Sequence, residues 1–488
     1  MKLLELHDYI GDTANLFNLV AHQPWAQYLD SGVSRFFKEG QRIESEKREE
    51  GVDIIVCHPQ SILLTYGNET EIYGPADYVD GDGRALLENS QTDPFEILKT
   101  MLSEYEIEPS IFEQHDLPFW GGAIGYFGYE LARRFEELPE QTHDDIGLPD
   151  IAVGIYEVAI ITCHKKRKSW YLDITGDNDL LKSFWLDLIN NMEIKDPLIS
   201  IEDSWQSVCD LNHSLSIDKY SKSFRKIKHY LTEGDCYQIN LTNRFDVHVK
   251  GSAWSSYLKM RSISSAPFGA FMNFPFAQVL SNSPEQFVEC IDGDVKTSPI
   301  KGSRPRDLEV LEYDMALAQE LEKSEKDKAE NVMIVDLLRN DLGRVCEVGS
   351  VNVPALFSVK TFANVHHLVS QVTGKLKAEY HSLDLLKACF PGGSITGAPK
   401  KRAMEIIDEL EPCYRGVYCG SIAWVDFKGN LQSNIAIRTI TATNGHAYFS
   451  AGGGIVIDSD EEEEYQELMN KAKVMLNVVG VTAKQSNH

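Results

Sequence analysis

The sequence lacks the paired cysteines of a disulfide-stabilised or zinc-binding protein. Its nine cysteines are odd in number and scattered, and no Cys-x-x-Cys pair or Cys/His cluster has the spacing of zinc ligands. This pattern is typical of a cytosolic protein whose thiols stay reduced and mostly buried. The sequence therefore predicts neither a disulfide framework nor a zinc site.

Positive charge is also scarce. Lys and Arg together number 47 against 74 Asp and Glu, which gives a formal net charge of -27. A surface of this charge repels phosphate backbones and anionic lipids, so nucleic-acid binding and membrane-surface binding are disfavoured. A small anionic substrate is not excluded, because a local basic pocket can outweigh the mean charge of the surface.

Long apolar runs are missing as well. The amino terminus carries Glu5 and Asp8 within its first apolar stretch, which is not the pattern of a signal peptide. The uncharged stretch 262–284 is interrupted by Pro267, Pro275 and several polar side chains, so it does not suit a membrane-spanning helix. We expect a soluble, cytoplasmic protein.

The sequence has no phosphate-binding loop of a nucleotide enzyme. The glycine-rich stretch 391–400 runs into a predicted helix but lacks the GxxxxGK[ST] pattern. Its free N–H groups, the hydroxyls of Ser394 and Thr396, and Lys400 instead make a carboxylate or phosphate site plausible.

A second glycine run, Gly452 to Gly454, leads into a predicted strand and not into a helix, so it is not a dinucleotide fingerprint. These glycines indicate either a ligand that approaches bare backbone or a bend in a sheet.

What the sequence does contain is ample apolar material for a core, since 43% of its 488 residues are hydrophobic. The hydrophobic patterns predict strands at 52–57, 154–161, 279–280, 287–291, 417–427, 435–443 and 447–450, and helices at 177–192, 217–233, 315–330, 398–410 and 460–479. Several strands follow one another through hairpin-like turns, such as Asn444–Gly445. This order favours an α+β fold with antiparallel sheets over a doubly wound parallel sheet.

Lys301 is a candidate nucleophile. It lies in Ser-Pro-Ile-Lys-Gly-Ser-Arg-Pro-Arg, residues 298–306, where Gly302 indicates a tight turn and two arginines follow closely. Nearby cations favour the neutral, nucleophilic form of a lysine. The alternative is a surface turn with a solvated basic cluster.

Two pairs of carboxylates are candidate metal ligands. Asp327 and Glu330 lie three residues apart near the end of one predicted helix, and Glu464 and Glu467 lie three apart on another. This spacing places each pair on one helix face, and four converging acids with oxygen-only donors suit Mg²⁺. The alternative is a pair of solvated, acidic helix faces.

Two further polar residues stand in apolar surroundings. Arg438 is a possible bidentate clamp for a carboxylate. His367 suits either a polar pocket wall or a satisfied core histidine.

Taken together, six segments of the second half resemble the chorismate-utilising enzymes, a family that includes anthranilate, isochorismate and salicylate synthases. They are residues 298–306, Ala-Glu-Asn at 329–331, Ile-Val-Asp-Leu-Leu-Arg-Asn-Asp at 334–341, Phe-Pro-Gly-Gly-Ser-Ile-Thr-Gly-Ala-Pro-Lys at 390–400, Arg-Ala-Met-Glu at 402–405 and Ala-Gly-Gly-Gly-Ile at 451–455. The likeness is close over 217–479 and weaker in 25–32 and 119–130.

The resemblance implies a fold and a division of the chain. We expect the α+β chorismate-binding fold, with large antiparallel sheets packed as a sandwich, flanked by helices, in two interleaved subdomains. Residues 1–200 correspond to the amino-terminal region of the family, and residues 217–480 to the chorismate-binding catalytic domain.

The resemblance also implies roles for the candidate residues. Glu285 matches the general acid of the family, and Mg²⁺ is expected on Glu330 and Glu467, with Asp327 and Glu464 behind them. The residues expected to bind substrate are Arg438, Gly452, Gly453, Gly454, Lys400, Thr396, His367 and Gln238.

Two positions resemble particular branches of the family. A lysine in the place of Lys301 marks the branch that aminates chorismate at C4, on the way to p-aminobenzoate and folate, whereas anthranilate synthases carry an alanine there. Isochorismate and salicylate synthases have a water-activating lysine in the place of Gln238, so hydroxylation at C2 is disfavoured. Ser303 replaces the usual threonine and keeps its hydroxyl.

The resemblance therefore predicts amination at C4 through a covalent Lys301 intermediate. The alternatives are an anthranilate synthase component I, which aminates at C2, and a catalytically silent paralogue that binds tryptophan or serves as a scaffold for an amidotransferase.

The family further implies two partners. The sequence shows no glutaminase signature, so ammonia is expected from a separate glutamine amidotransferase subunit or from solution. Asp30, Ser31, Pro267 and Phe268 resemble the tryptophan pocket of the family, where the bound amino acid is either regulatory or structural.

Overall fold

Two large antiparallel sheets form the body of the fold in the computed structural model, which describes residues 1–33, 36–38, 41–43, 51–75, 84–191, 201–362 and 365–481. One sheet has thirteen strands and the other has twelve. The described strands are β1 (Lys2–Glu5), β2 (Ala26–Asp30), β3 (Phe36–Lys38), β4 (Gln41–Ile43), β5 (Val52–Val56), β6 (Ser61–Tyr66), β7 (Glu69–Pro75), β8 (Arg84–Ser90), β9 (Gly122–Phe127), β10 (Ile151–Tyr156), β11 (Val158–Cys163), β12 (Lys168–Asp173), β13 (Gln206–Ser207), β14 (Asn212–His213), β15 (Gln238–Lys250), β16 (Phe268–Asn273), β17 (Gln278–Ser283), β18 (Gln286–Ile291), β19 (Asp294–Thr297), β20 (Ile300–Pro305), β21 (Asn352–Thr361), β22 (Val365–Lys375), β23 (Gly397–Ala398), β24 (Ser421–Asp426), β25 (Leu431–Asn434), β26 (Thr439–Thr443) and β27 (His446–Ile455).

Helices flank the sheets. They are α1 (Thr13–Asn18), α2 (Pro94–Ser103), α3 (Pro109–Gln114), α4 (Asp179–Asn191), α5 (Ile217–Glu233), α6 (Ala253–Ile263), α7 (Leu311–Lys323), α8 (Glu325–Val345), α9 (Ser382–Cys389), α10 (Lys400–Leu410) and α11 (Glu461–Val478), with short 3-10 turns at Tyr129–Arg134 and Gly393–Ile395.

Both large sheets draw strands from each half of the chain. The first runs β1-β12-β11-β5-β2-β16-β17-β26-β27-β15-β13, with β14 and β23 also paired to β15. The second runs β20-β22-β19-β18-β25-β24-β9-β10-β6-β7-β8, with β21 also paired to β22. A buried apolar layer joins them, with Ile54 and Trp170 from the first sheet and Tyr126 and Trp424 from the second. The predicted α+β sandwich of antiparallel sheets is confirmed.

The chain changes sheets at Glu157. The apolar run 154–161, predicted as one strand, is divided there between β10 in the second sheet and β11 in the first. The prediction of a single strand is wrong because both strands are buried on both faces, so no alternation of polar residues marks the break.

Capping residues define helix α5. The Ser216 side chain accepts a hydrogen bond from the N–H of Lys219, and Gly234 ends the helix in the left-handed conformation, with φ of 81°. The prediction of a helix over 217–233 is confirmed.

The predicted helix 315–330 is wrong, because Ser324 separates α7 from α8. Ser324 is extended, with φ of -63° and ψ of 109°, and its side chain accepts a hydrogen bond from the N–H of Asp327. Asp327 and Glu330 therefore lie in the first two turns of α8, not near the end of a helix. The predicted helix 398–410 begins only at Lys400, since Ala398 belongs to β23 and Pro399 is the extended N-cap residue.

Strands β26 and β27 also differ from the prediction at their ends. Arg438 has a φ of 51°, so the strand predicted over 435–443 begins only at Thr439. The turn at Asn444 and Gly445 has two positive φ values, 51° and 78°, as a two-residue hairpin requires. The glycines 452–454 lie inside β27 and do not precede it.

All nine cysteines are free thiols, and seven of them are buried. Among the described residues, no helix is long and apolar enough to cross a membrane.

Candidate active site

Lys301 lies in a β-bulge of β20. Ile300 pairs with Val369 and Ser303 pairs with His367, so three steps along β20 match two steps along β22. The extra residue is accommodated by Gly302, whose φ is 80°. A bulge changes the direction of the neighbouring side chain, and here that side chain is Lys301.

Gly302 also has no room for a side chain. A Cβ atom placed on it would lie 2.8 Å from Oδ1 of Asp327 and 2.8 Å from Cδ1 of Leu321. Helices α7 and α8 therefore pack directly on the bulge, and Asp327 comes within contact of the residue after Lys301.

Glu285 is a buried carboxylic acid beside Lys301. It joins β17 to β18, and burial raises its pKa above the usual range, opposed by a hydrogen bond from the Ser394 side chain and by the charge of Lys301. The N–H of Ile300, the residue before Lys301, also donates to this carboxylate. A carboxyl group with a raised pKa next to an amine suits general acid catalysis.

The four predicted metal-binding acids come together. Asp327 of α8 and Glu464 of α11 both raise the pKa of Glu330, and Glu467 raises the pKa of Glu464. A Cβ atom placed on Gly453 would lie 3.0 Å from Oε2 of Glu464 and 4.0 Å from Oε1 of Glu467. The bare backbone of β27 thus lets α11 approach with its acidic face.

Burial and mutual repulsion raise the pKa of Glu330, with Asp327 and Glu464 adding to the effect of burial. The pKa of Glu464 is raised by burial first and by Glu467 second. Burial alone would also raise the pKa of Glu467, but Lys471, Lys326 and Lys301 together hold it below the usual range.

The donor chemistry of this cluster fits a hard divalent cation, because every donor is a carboxylate oxygen and the acids repel one another. Two ammonium groups neutralise part of the negative charge of these acids. Lys471 lies 2.7 Å from Glu467, and Lys326 lies 4.0 Å from Glu464. In the described part of the chain, no three His, Cys, Asp or Glu side chains are already arranged as ligands of one ion.

Arg438 supplies a partly buried positive charge that has no acidic partner among the described residues. Burial lowers the pKa of its guanidinium, and within the described residues no carboxylate lies within 4 Å of it. A partly buried guanidinium without an acidic partner is a strong site for a carboxylate ligand. Its left-handed backbone, noted above, fixes where the side chain leaves the sheet.

His367 lies between Arg438 and the bulge. Its Nδ1 is 2.7 Å from the Ser303 hydroxyl, and it is also hydrogen-bonded to the backbone of Gly302. Burial and the charge of Arg438 lower the pKa of His367 to about 4, so the imidazole is neutral at physiological pH.

Gln238 opens β15 and is fully buried, yet neither atom of its amide has a hydrogen-bond partner. It lies beside the glycine strand, because a Cβ atom placed on Gly454 would be 2.9 Å from the amide nitrogen. Buried amides are normally satisfied, so this one is available to a ligand. Gly452 packs closely on β15, where a Cβ atom would lie 2.3 Å from the carbonyl oxygen of Leu241.

Two predicted substrate-binding residues serve the loop 391–400 itself. The Lys400 ammonium lies 2.7 Å from Oδ2 of Asp341 and donates to the carbonyl of Cys389. The Thr396 hydroxyl is fully buried and donates to the carbonyl of Gly392 at 2.9 Å. The polar groups of both side chains are therefore engaged by the protein itself.

The sequence-based site set omitted Ser394, Lys326 and Lys471. Ser394 connects the glycine-rich loop to Glu285, a contact that no sequence spacing could reveal. Lys471 could have been recognised, because it lies four residues after Glu467 on α11.

A large cavity of about 1130 Å³ contains all four residues of the predicted tryptophan pocket: Asp30, Ser31, Pro267 and Phe268. Asp30 is bound by Arg261 at 2.6 Å and by the Tyr257 hydroxyl at 3.0 Å. These contacts hold the polar end of the cavity in place.

The same cavity is lined by the neighbours of both candidate catalytic residues. Pro284 and Gln286 flank Glu285, while Ser298 and Ile300 precede Lys301, and all four line the cavity. Neither Glu285 nor Lys301 lines it. One segment of sheet thus separates the cavity from the Lys301 site.

Comparisons with known proteins were made on the sequence and on the structure. Residues 46–477 match the family described as chorismate binding enzyme. The chain is 43% identical to aminodeoxychorismate synthase component 1 of Escherichia coli, with 94% of each chain covered. It is 34% identical to anthranilate synthase component 1 of Acetivibrio thermocellus, over 90% of this chain and 88% of that one.

Among solved structures, anthranilate synthase component I of Streptococcus pneumoniae superposes with a TM-score of 0.75 at 31% identity, covering 90% of this chain and 95% of that one. The menaquinone-specific isochorismate synthase of Escherichia coli shares the fold, with a TM-score of 0.61 at 16% identity, over 96% of this chain and 99% of that one. The chain belongs to the chorismate binding enzyme family.

Proposed function

We propose that the protein aminates chorismate at C4, forming 4-amino-4-deoxychorismate on the route to p-aminobenzoate and folate. The observation that carries this proposal is Lys301 in its bulge, with Glu285, Glu330 and Glu467 close enough to respond to its charge. The relatives named aminodeoxychorismate synthase component 1, at 43% and 44% identity over 94% of the chain, support the same assignment.

The anionic substrate is held by Arg438, the glycine strand, Gln238 and His367. Arg438 takes one carboxylate, and the bare backbone of Gly452–Gly454 allows the ring to approach β27. The unpartnered amide of Gln238 and the neutral imidazole of His367 supply the remaining polar contacts. Lys400 and Thr396 are left out of this set, because their side chains hold the loop.

Magnesium belongs with the acids of α8 and α11. Glu330 and Glu467 would hold the ion, and Asp327 and Glu464 would orient them. Bound there, Mg²⁺ would anchor the ring carboxylate and withdraw electron density from the diene. This role is supported by the oxygen-only donor set and by the raised pKa values of Glu330 and Glu464.

The chemistry proceeds through two allylic displacements. The Lys301 amine forms a bond to C2, the two ring double bonds shift, and the C4 hydroxyl leaves as water with a proton from Glu285. Ammonia then bonds to C4, the double bonds shift back, and the C2–N bond to Lys301 breaks. The raised pKa of Glu285 keeps the departing proton available.

The ammonia comes from a glutamine amidotransferase subunit, which hydrolyses glutamine and docks on this chain. Free ammonium at high concentration would replace it. The cavity around Phe268 takes tryptophan, with Asp30 and Ser31 at its polar end and Pro267 and Phe268 against the ring.

A second candidate function is amination at C2, as in an anthranilate synthase. The 34% identity to an anthranilate synthase component 1 and the 0.75 TM-score favour it. It would leave Lys301 without a role, so it is the weaker candidate. A catalytically silent scaffold is weaker still, because it would not need Glu285, Lys301, Glu330 and Glu467 together.

The test is product identification. The protein is incubated with chorismate, MgCl₂ and ammonium, and the products are separated and weighed by mass spectrometry. We expect 4-amino-4-deoxychorismate; anthranilate as the main product, or no turnover, would contradict the proposal. Without ammonium, we expect a protein adduct with the mass of chorismate less one water.

The covalent step has its own control. Lys301→Ala should abolish the adduct and slow amination by about a hundredfold or more. Lys250→Ala, at the exposed end of β15, should retain both. An unchanged rate in Lys301→Ala would show that no lysine adduct lies on the path.

A further inference from the structure

The start of helix α7 exposes an unusual amount of apolar side chain. Within residues 308–315, Leu308, Val310, Leu311, Tyr313 and Met315 are each more than half exposed, from 52% for Val310 to 74% for Leu308. Elsewhere in the described chain, no stretch of eight residues has more than two large exposed apolar side chains. We call these five residues the α7 surface.

The fold of this chain does not use the α7 surface. Only Asp314 and Leu321 of the helix are fully buried, and they face β20 and β22. Asp314 and Leu321 lie one above the other on the buried side of the helix. At 100° per residue, Leu311 and Met315 lie to one side of these two residues and Tyr313 lies to the other. The helix thus carries a wider apolar sector than the sheet covers, which is typical of a protein interface.

The inner side of α7 is connected to the Lys301 bulge. The Nε–H of Arg306 donates to both carboxylate oxygens of Asp314, at 2.8 and 3.0 Å, and Oδ1 of Asp314 lies 2.8 Å from Nε2 of His366. Leu321 touches Gly302, as described above. A molecule bound to the α7 surface would therefore rest on the element that packs against Lys301.

The charges around the α7 surface limit the kind of partner. Glu309 and Glu312 are exposed among the apolar side chains, and Asp307 precedes them. No lysine or arginine lies between Asp307 and Glu322. The complementary face must therefore be apolar at its centre and basic at its rim.

We propose that the α7 surface is the docking site of the glutamine amidotransferase subunit. This inference rests on the proposed function, since a reaction that consumes ammonia needs a source close to Lys301. The surface follows β20 in sequence by three to ten residues and contacts the bulge through Leu321. The partner should present an apolar patch with basic residues around it.

The test uses the full chain and the amidotransferase component of the same organism. The double variant Leu311→Glu with Met315→Glu places two charges on the α7 surface. The control is Leu180→Glu with Val348→Glu, two side chains that are 88% and 101% exposed, on α4 and in the turn after α8. Three quantities are measured: the Kd of the two proteins by titration calorimetry, glutamine-dependent amination, and amination supported by ammonium chloride.

We expect the α7 variant to weaken binding of the amidotransferase by about tenfold or more. Glutamine-dependent amination should fall in parallel at limiting partner, while ammonium-dependent amination stays within twofold of the unaltered protein. The control variant should match the unaltered protein in all three.

Two results would overturn the proposal. The first is an unchanged Kd in the α7 variant. The second is self-association of the unaltered protein that the variant abolishes, which would assign the surface to a second copy of this chain. Because the Kd is measured without turnover, a failure to aminate chorismate would count against the proposed function alone.

Discussion

The ammonium group of Lys471 lies 2.7 Å from Oε1 of Glu467 and donates to the carbonyl of Gly452 at 3.0 Å. One lysine thus joins helix α11 to the glycine strand at the place where a metal ion is proposed. Its charge also holds down the pKa of Glu467, against the effect of burial.

Replacing Lys471 with methionine should therefore tighten Mg²⁺ binding. Removing a positive charge next to the carboxylates lowers the electrostatic cost of placing Mg²⁺ there, by about threefold to tenfold in Kd. Titration calorimetry with MgCl₂ at pH 8 measures the change. Lys473→Met, exposed on the same helix, should leave the Kd unaltered, and weaker Mg²⁺ binding in Lys471→Met would contradict the proposed metal site.

Gly302→Ala should displace Lys301. Its Cβ would clash with Asp327 and Leu321, and its φ of 80° is strained for any side chain. We expect the free energy of unfolding to fall by about 1 to 3 kcal/mol and kcat to fall by about tenfold or more. Gly429→Ala is the control, because its φ is 87° but the nearest atom is 3.9 Å away. If both variants kept the same kcat, the bulge would not position Lys301.

Arg438→Met should weaken substrate binding. The guanidinium has no acidic partner in the described chain, so its loss leaves the substrate carboxylate unpaired, and KM should rise by about tenfold to a hundredfold. Steady-state kinetics with chorismate checks this value. Arg167→Met is the matched control, because Arg167 is exposed and has a similar φ of 49°. A change in kcat alone would assign Arg438 to another step.

The neutral His367 should make folding sensitive to acid. Its pKa of about 4 lies below the usual value, so the folded state binds fewer protons than the unfolded state between about pH 4 and 6.5. This contribution to stability is present above pH 6.5 and is lost as the pH falls toward 4, by about 1 to 3 kcal/mol.

Urea unfolding at pH 7 and pH 5 measures that loss. His367→Gln should lose less stability between the two pH values than the unaltered protein does. His22→Gln, at an exposed histidine, should show the same pH dependence as the unaltered protein. An equal pH dependence in His367→Gln would mean that other groups produce it.

Local signals in the sequence predicted helices well where caps were present. Helix α5 begins after Ser216, whose side chain accepts a hydrogen bond from the first turn, and ends at Gly234, which has a left-handed backbone. Both residue types are visible in the sequence. Ser324 interrupts a pattern that reads as one helix, because the break depends on how α7 and α8 pack around Gly302. The change of sheet at Glu157 was hidden for a similar reason, since both strands are equally buried.

The sequence predicted which residues belong to the candidate site better than it predicted the contacts that those residues make. The spacing predicted that the acids of α8 and α11 form a cluster, and in the structure Asp327 and Glu464 both act on the pKa of Glu330. Lys400 was chosen for its position after a glycine-rich loop, but Asp341, distant in sequence, holds its amine. Ser394 reaches Glu285 only in the folded chain. The catalytic roles themselves stay predictions.

The wall shared by the large cavity and the Lys301 site restricts how this chain can vary over evolutionary time. Pro284, Gln286, Ser298 and Ile300 line the cavity, whereas Glu285 and Lys301, in the same two segments of chain, do not. A substitution that reshaped the cavity would shift the backbone of two catalytic candidates at once. Natural substitutions in these two segments should therefore preserve both the shape of the cavity and the positions of Glu285 and Lys301.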